Sequence, residues 1–149
     1  MPLEDTANWF KAAKPEPTLA NFYVQMGVHF EEVGEMIDEL TPVNYTGDRL
    51  KEAARSAITN LANHFKNKGA EPFLILHEND RPQFFDAICD QLVTATGTAV
   101  LAGMDAPGGL AEVNRSNYSK FEDGKPVLLP NGKIGKGKDY SPPDLTPFV

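Results

Sequence analysis

Residues 29 to 40 read HFEEVGEMIDEL, and five of the nine positions from Glu31 to Glu39 carry a carboxylate: Glu31, Glu32, Glu35, Asp38 and Glu39. A second acidic pair, Asp86 and Asp90, stands at i,i+4 in RPQFFDAICDQLVTATG. Clustered carboxylates in a partly buried place need a cation, because desolvating them unpaired is costly. All-oxygen ligands favour Mg²⁺ or Mn²⁺ over zinc, which prefers histidine and cysteine. The chemistry to expect of these residues is therefore the binding of a hard divalent ion.

Spacing supports this over a merely solvated surface, the common fate of a charged helix face. On a helical wheel Glu31, Glu32, Glu35 and Glu39 fall within about 100° of one another, opposite a stripe of Phe22, Met26, Phe30 and Ile37. Glu31 with Glu35 and Glu35 with Glu39 repeat a like-charge i,i+4 spacing that destabilises a helix by roughly a few tenths of a kcal/mol per pair. No lysine or arginine lies between Lys14 and Arg49 to relieve it. Val24 and Val28 share the acidic sector, so the face reads as partly covered. In the second stretch Asp86 and Asp90, with Gln83 between them in angle, oppose Phe84, Ile88 and Leu92, and Thr94 and Gly97 leave room on the acidic side.

Other metal chemistries fit poorly. A di-iron carboxylate bundle asks for Glu-x-x-His on two helices, and none of His29, His64 or His77 stands three residues after a glutamate. No His-Asp dipeptide occurs, which removes the corresponding phosphohydrolase class. Six of the 14 basic residues lie between Arg115 and Lys138, namely Arg115, Lys120, Lys125, Lys133, Lys136 and Lys138. With Asn114, Ser116, Asn117 and Ser119 they form a segment suited to polyphosphate. NGKIGKGK is not a phosphate-binding Walker loop, because Ile134 rather than Ser or Thr follows Lys133.

The elements that would position these residues are helices. Thr18 is a natural N-cap for a helix running to Leu40, with Phe22, Met26, Phe30, Val33, Ile37 and Leu40 on one side. A second helix is predicted over about 48–67, buried through Leu50, Ala54, Ala57, Ile58, Leu61 and Phe65 and stopped by NKGAEP. A third runs from Arg81-Pro82 to about Gly103, burying Phe84, Ile88, Leu92, Ala95 and Ala99, and Pro107 opens a fourth. Strand signal is confined to KPVLLPNGKI, as a small hairpin around Asn131-Gly132. Four helices with short joints predict an all-α, four-helix bundle-like domain with an irregular C-terminal tail.

Composition sets the outer limits. A chain of 149 residues suits one domain over 1–149, its core about 17–122 and its tail about 123–149. One cysteine, Cys89, precludes an internal disulfide framework and suits a reducing, cytoplasmic setting. No apolar run approaches the roughly 20 residues of a membrane span, and MPLEDTANWF lacks the order of a signal peptide. A formal charge of -7 argues against general binding of duplex nucleic acid. No nucleic-acid or membrane partner is expected.

Taken in order, NFYVQMGVHFEEVGEM, FFDAICDQLVTATG and VNRSNYSKFEDGKP with GKIGKGKDYSPPDL resemble the MazG-like all-α NTP pyrophosphatases, phage-type members in particular, from about residue 17 to 145. The resemblance implies hydrolysis of a nucleoside triphosphate between its α and β phosphates with Mg²⁺ or Mn²⁺, a deoxynucleotide such as dGTP being the expected substrate. It makes Glu32 and Glu35 metal ligands with Asp86, and Asp90 a further ligand. Glu31 becomes a candidate base or additional ligand, and Glu35 shares the catalytic duty. Asn114, Asn117, Lys120 and Lys133 would hold phosphates. It implies a homodimer or homotetramer. One departure stands out: the family's Glu-x-x-Asp reads Gln83-x-x-Asp86 here. The alternative is a non-catalytic helical interaction protein whose acidic face binds a partner.

Overall fold

The computed structural model describes residues 1–67, 73–129 and 134–149. Five α-helices make up most of them: α1 (Pro2–Ala13), α2 (Leu19–Asp38), α3 (Tyr45–Lys66), α4 (Arg81–Leu101) and α5 (Ala106–Tyr118). The fold is all-α. Strand among the described residues amounts to an antiparallel pair, β1 (Phe121–Glu122) with β2 (Lys125–Pro126), and one bridge between Leu128 and Ile134.

The helix ends follow from local chemistry. Thr18 caps α2 as expected, its hydroxyl accepting from the Asn21 amide at 3.2 Å. Asn44 caps α3 by accepting from the Gly47 amide at 2.8 Å, so that helix starts before Asp48. Asp105 caps α5, with Pro107 in the first turn. Gly103, at φ 85°, follows the end of α4 in a conformation that disfavours a side chain.

Two features depart from the sequence reading. The first is α1, an additional helix with Pro2 in its first turn, Glu4 and Asp5 at its positive end and Lys11 near its negative end. The second is the hairpin. Asp123 and Gly124, both at positive φ (50° and 74°), turn β1 into β2, as an Asp-Gly pair does. The bridge from Leu128 to Ile134 flanks the hairpin expected around Asn131-Gly132, whose turn lies outside the described residues. Most of the expected stop NKGAEP also lies outside them; α3 ends at Lys66 with Asn67 as its cap.

The chain divides into two compact units, Glu16–Ile75 and Met1–Pro15 with Leu76–Val149. In the first, α2 and α3 pack along each other. Their contact line on α2 runs through the buried Gly27 and Gly34, between half-buried Tyr23, Phe30 and Ile37. On α3 it centres on buried Ala62 and Phe65. Phe65 stacks with Tyr23 and Phe30 at ring separations of 6.2 and 6.0 Å, and meets Phe73 at 4.9 Å. The expected stripes are therefore met in part: Phe30 and Phe65 are inside, whereas Leu40 and Leu50 are exposed.

In the other unit α1 packs on α5. Trp9 is the large buried residue of the contact, and its indole N–H donates to the Asn117 carbonyl at 2.9 Å. The C-terminal segment, expected to be irregular, has little regular structure but is strapped back along α5. The Lys138 amide donates to Glu122, the Ser141 amide to the Ser119 hydroxyl, and the Asp144 amide to Glu112. The Asp105 amide donates to the Phe148 carbonyl, and Phe148 lies over Gly108.

Helix α4 has no buried residue. Phe84, Ile88 and Ala99 are half-buried, but Leu92 and Ala95 of the expected stripe are exposed, as are Phe85, Val93, Val100 and Leu101. No single helix among the described residues is long and apolar enough to cross a membrane; α4 and α5 meet that test only jointly, across a bend of 113°.

Candidate functional site

The acidic face of α2 is where the wheel puts it, but α3 changes its electrostatics. Glu35 is exposed and Glu31 half-buried. Expected to lack counter-charge, the face receives three cations from α3. Lys66 donates to Glu31, and Arg55 to Asp38 at 2.7 Å. Lys51 donates to the carbonyls of Asp38 and Leu40 at 2.7 Å each, satisfying the open end of α2, which has no basic residue of its own in its last turn. Both ion pairs reach across a glycine of α2. A Cβ on Gly27 would meet Lys66 Cγ at 2.6 Å, and the Arg55 guanidinium lies over Gly34. Sequence periodicity cannot reveal this, because the partners are 35 and 17 residues apart.

Glu32, Glu35, Asp86 and Asp90 are exposed, and so is Gln83. The two acidic sets belong to different units, Glu31, Glu32 and Glu35 to Glu16–Ile75 and Asp86 and Asp90 to the other. Their donor chemistry, carboxylate oxygen throughout, suits Mg²⁺ or Mn²⁺. Among the described residues of one chain no three His, Cys, Asp or Glu side chains gather closely enough to hold a metal ion.

The basic segment is more tightly organised. Asn114 is only 5% exposed; its amide N–H donates to the Pro2 carbonyl at 2.7 Å and its carbonyl accepts from the Thr6 hydroxyl at 2.9 Å. This geometry gives Asn114 a structural duty in clamping α1 to α5, since both ends of the amide are engaged. Lys120 donates to the Asn117 side chain at 2.8 Å with its ammonium 6.0 Å from the Trp9 ring centroid. Asn117 and Lys120 thus stand together beside Trp9. Lys133 lies outside the described residues.

Sequence reasoning passed over Glu112 and Arg115 as a pair. Arg115 donates twice to the Glu112 carboxylate, at 2.8 and 2.7 Å, and also to the Pro142 carbonyl. Those bonds, with the Asp144 amide as a further donor, hold the Glu112 carboxyl down at about 2 against an ordinary 4.5. Their i,i+3 spacing was visible in the sequence; the tail that completes the set was not. A folded value below the unfolded one means that the contribution to stability is complete above about pH 4.5 and is lost as pH falls towards about 2. The Asp144 amide is expected to lose its exchange protection over that interval, as followed by NMR. In Glu112→Gln its protection should already be low at neutral pH and insensitive to acid.

No protein-family model matches the chain, and neither the curated proteins nor the solved structures contain a significant match.

Proposed function

We propose that the chain is a metal-dependent nucleoside triphosphate pyrophosphohydrolase of the MazG-like kind, acting on a deoxynucleotide such as dGTP. The observation that carries this reading is the ordered series Glu31-Glu32-x-x-Glu35, Asp86-x-x-x-Asp90 and Asn114–Lys120, which falls on α2, on α4 and along α5 to its end. The all-α fold supports it, as does the exposure of Glu32, Glu35, Asp86 and Asp90. On this reading Glu32 and Glu35 on α2, and Asp86 and Asp90 on α4, serve as ligands of Mg²⁺ or Mn²⁺, an ion that when bound would neutralise triphosphate charge and polarise the α-phosphorus. Glu35, and Glu31 when released from Lys66, would accept a proton from the attacking water. Lys120 and Asn117, with Lys133, would bind the departing pyrophosphate, Lys120 as its counter-charge. Asn114 holds the α1–α5 contact on which Asn117 and Lys120 depend. On this reading the chain works as a cytoplasmic homodimer or homotetramer.

A panel of dNTPs with Mg²⁺ and with Mn²⁺ tests this directly. Pyrophosphate rather than orthophosphate is expected, with Glu35→Gln lowering turnover by about 100-fold or more while leaving the helical circular dichroism unchanged. A chain inert on every triphosphate with both metals refutes the enzyme. In that case the exposed carboxylates Glu35 on α2 and Asp86 and Asp90 on α4 favour the second reading, a non-catalytic helical interaction protein whose acidic face binds a partner.

A further inference from the structure

We infer that α4 pairs antiparallel with α4 of a second copy of this chain, along a seam of Phe85, Cys89, Leu92, Val93, Thr96 and Val100. The inference goes beyond the enzyme reading and stands on α4 alone.

Helix α4 has 21 residues, none of them buried. Its main neighbours in its own unit are the turn Glu78–Asp80 before it and α5 after it, so the length between those ends has little to pack on. Phe85, Val93 and Val100 are 67%, 69% and 56% exposed. On the helical wheel the six seam residues fall within about 100° of one another. No charged residue lies among them; Asp86 and Asp90 fall beyond Val93, on the polar side. An uncharged apolar stripe along a whole helix marks a contact surface, because leaving it in water forfeits its burial.

The seam itself says what covers it. About a point between Leu92 and Val93 it reads alike in both directions, Phe85 answering to Val100 and Cys89 to Thr96. That is the self-complementarity a two-fold contact between copies requires. Charge selects the antiparallel order. The acids of α4, Asp86 and Asp90, lie in its first half. Parallel pairing would set them level with their own counterparts and align two helix dipoles, whereas antiparallel pairing sets them level with Ala99 and Ala95 and opposes the dipoles. It also brings Arg81, which pairs with Glu78 only at 3.7 Å, to the acidic end marked by Asp105. Half the surface of a helix of this length offers about 600 Å² per copy, hence about 1,200 Å² in the pair, the lower edge of a stable interface. The dimer is therefore reversible and forms at micromolar rather than nanomolar concentration.

Sedimentation equilibrium of the full chain, from micromolar to submillimolar concentration, tests the inference. A reversible monomer–dimer equilibrium is expected. Leu92→Glu puts a charge at the centre of the seam and should weaken association by about 100-fold or more. Circular dichroism should not change, because Leu92 is already 46% exposed. Thr94→Glu, on the opposite side of the helix, should leave association as it was. Thr96→Cys adds a thiol that the antiparallel order sets against Cys89 of the other copy, so mild oxidation should link the copies. Within one helix the two positions are about 10.5 Å apart, beyond the roughly 7 Å that a disulfide spans. A chain that stays monomeric over the whole range overturns the inference. So does a dimer that Leu92→Glu leaves intact, or that Thr94→Glu weakens equally. Ready oxidation of the unmodified chain to a dimer linked through Cys89 overturns the antiparallel order, as does failure of Thr96→Cys to link in a persisting dimer. These readouts do not involve turnover, so the enzyme reading stands or falls by its own assay.

Discussion

Replacing Trp9 by alanine is expected to lower the stability of the α1–α5 unit by about 3–4 kcal/mol, the usual cost of deleting a large buried aromatic side chain. Trp9 is the single tryptophan and is 8% exposed. It stacks on Phe121 at 5.8 Å, meets Phe10 edge-on at 5.0 Å and carries the Lys120 ammonium near its face. It therefore ties α1, the end of α5 and β1 into one contact. Its indole N–H also donates to the Asn117 carbonyl in the last turn of α5, alongside the Lys120 amide at a longer 3.2 Å. Alanine removes the area, the stacking and the donor together. For a chain of this size the melting temperature should fall by about 10 °C in far-ultraviolet circular dichroism. Trp9→Phe separates the contributions: it keeps the ring packing, loses the donor, and should cost only about 1 kcal/mol. A Trp9→Ala protein melting within a few degrees of the unmodified chain would show that α1 is not held by this contact. Because Lys120 and Asn117 adjoin Trp9, the same substitution should weaken pyrophosphate binding on the proposed reading.

How much of this was legible depends on the kind of signal each feature leaves. Helices α2, α4 and α5 declare themselves through caps and proline: Thr18, Arg81-Pro82 and Pro107 mark their starts within a residue or two. The shared face of Glu31, Glu32 and Glu35 follows from the helical period alone. Helix α1 leaves a fainter trace. Only Trp9 and Ala13 of its 12 residues are buried, so there is no long apolar stripe, and its marks are Pro2 and the order of its charges. The Asp123-Gly124 turn was readable, since that dipeptide favours paired positive φ, but strands of two residues give no alternation to reinforce it.

What the sequence could not carry is register between helices. The apolar pattern of α2 counts large side chains and so points to Phe22, Met26, Val33 and Leu40, whereas the deepest line runs through Gly27 and Gly34, which contribute nothing to such a count. Once glycine draws α3 close, Lys66 and Arg55 fall opposite Glu31 and Asp38, and an acidic face without counter-charge becomes partly neutralised. Residue types and faces of the candidate site were thus readable, but the pairing that sets its charge depends on how closely two helices approach.

That approach yields the second large effect, a contrast between two like substitutions. Gly27→Ala is expected to destabilise the α2–α3 pair by about 2 kcal/mol, whereas Gly34→Ala should stay within about 0.5 kcal/mol of the unmodified chain. At Gly27 the added Cβ would lie 2.7 Å from the Ala62 carbonyl oxygen and 3.1 Å from the Lys66 amide nitrogen, both backbone atoms of α3 that cannot step aside. The helices must separate, loosening the packing around Phe65. Overpacking of this kind costs about 3 kcal/mol, set against the roughly 1 kcal/mol that alanine gains over glycine within a helix. At Gly34 the obstruction is the Arg55 guanidinium, with Ile58 Cγ2 at a tight 3.3 Å, from which the end of that side chain must give by a few tenths of an ångström. A guanidinium at the end of a flexible side chain can swing away, losing the bond to Asp38, an ion pair whose side chains are 30% and 44% exposed. Such a pair contributes about 0–1 kcal/mol, close to what the gain in helix propensity returns. Urea titration of both variants reads the difference as a shift in midpoint at constant slope. Equal losses in the two would mean that ion pairing, not backbone approach, governs how α3 sits on α2. A loss confined to Gly27→Ala would show that the carbonyl of Ala62 sets the spacing, and with it the position from which Lys66 reaches Glu31.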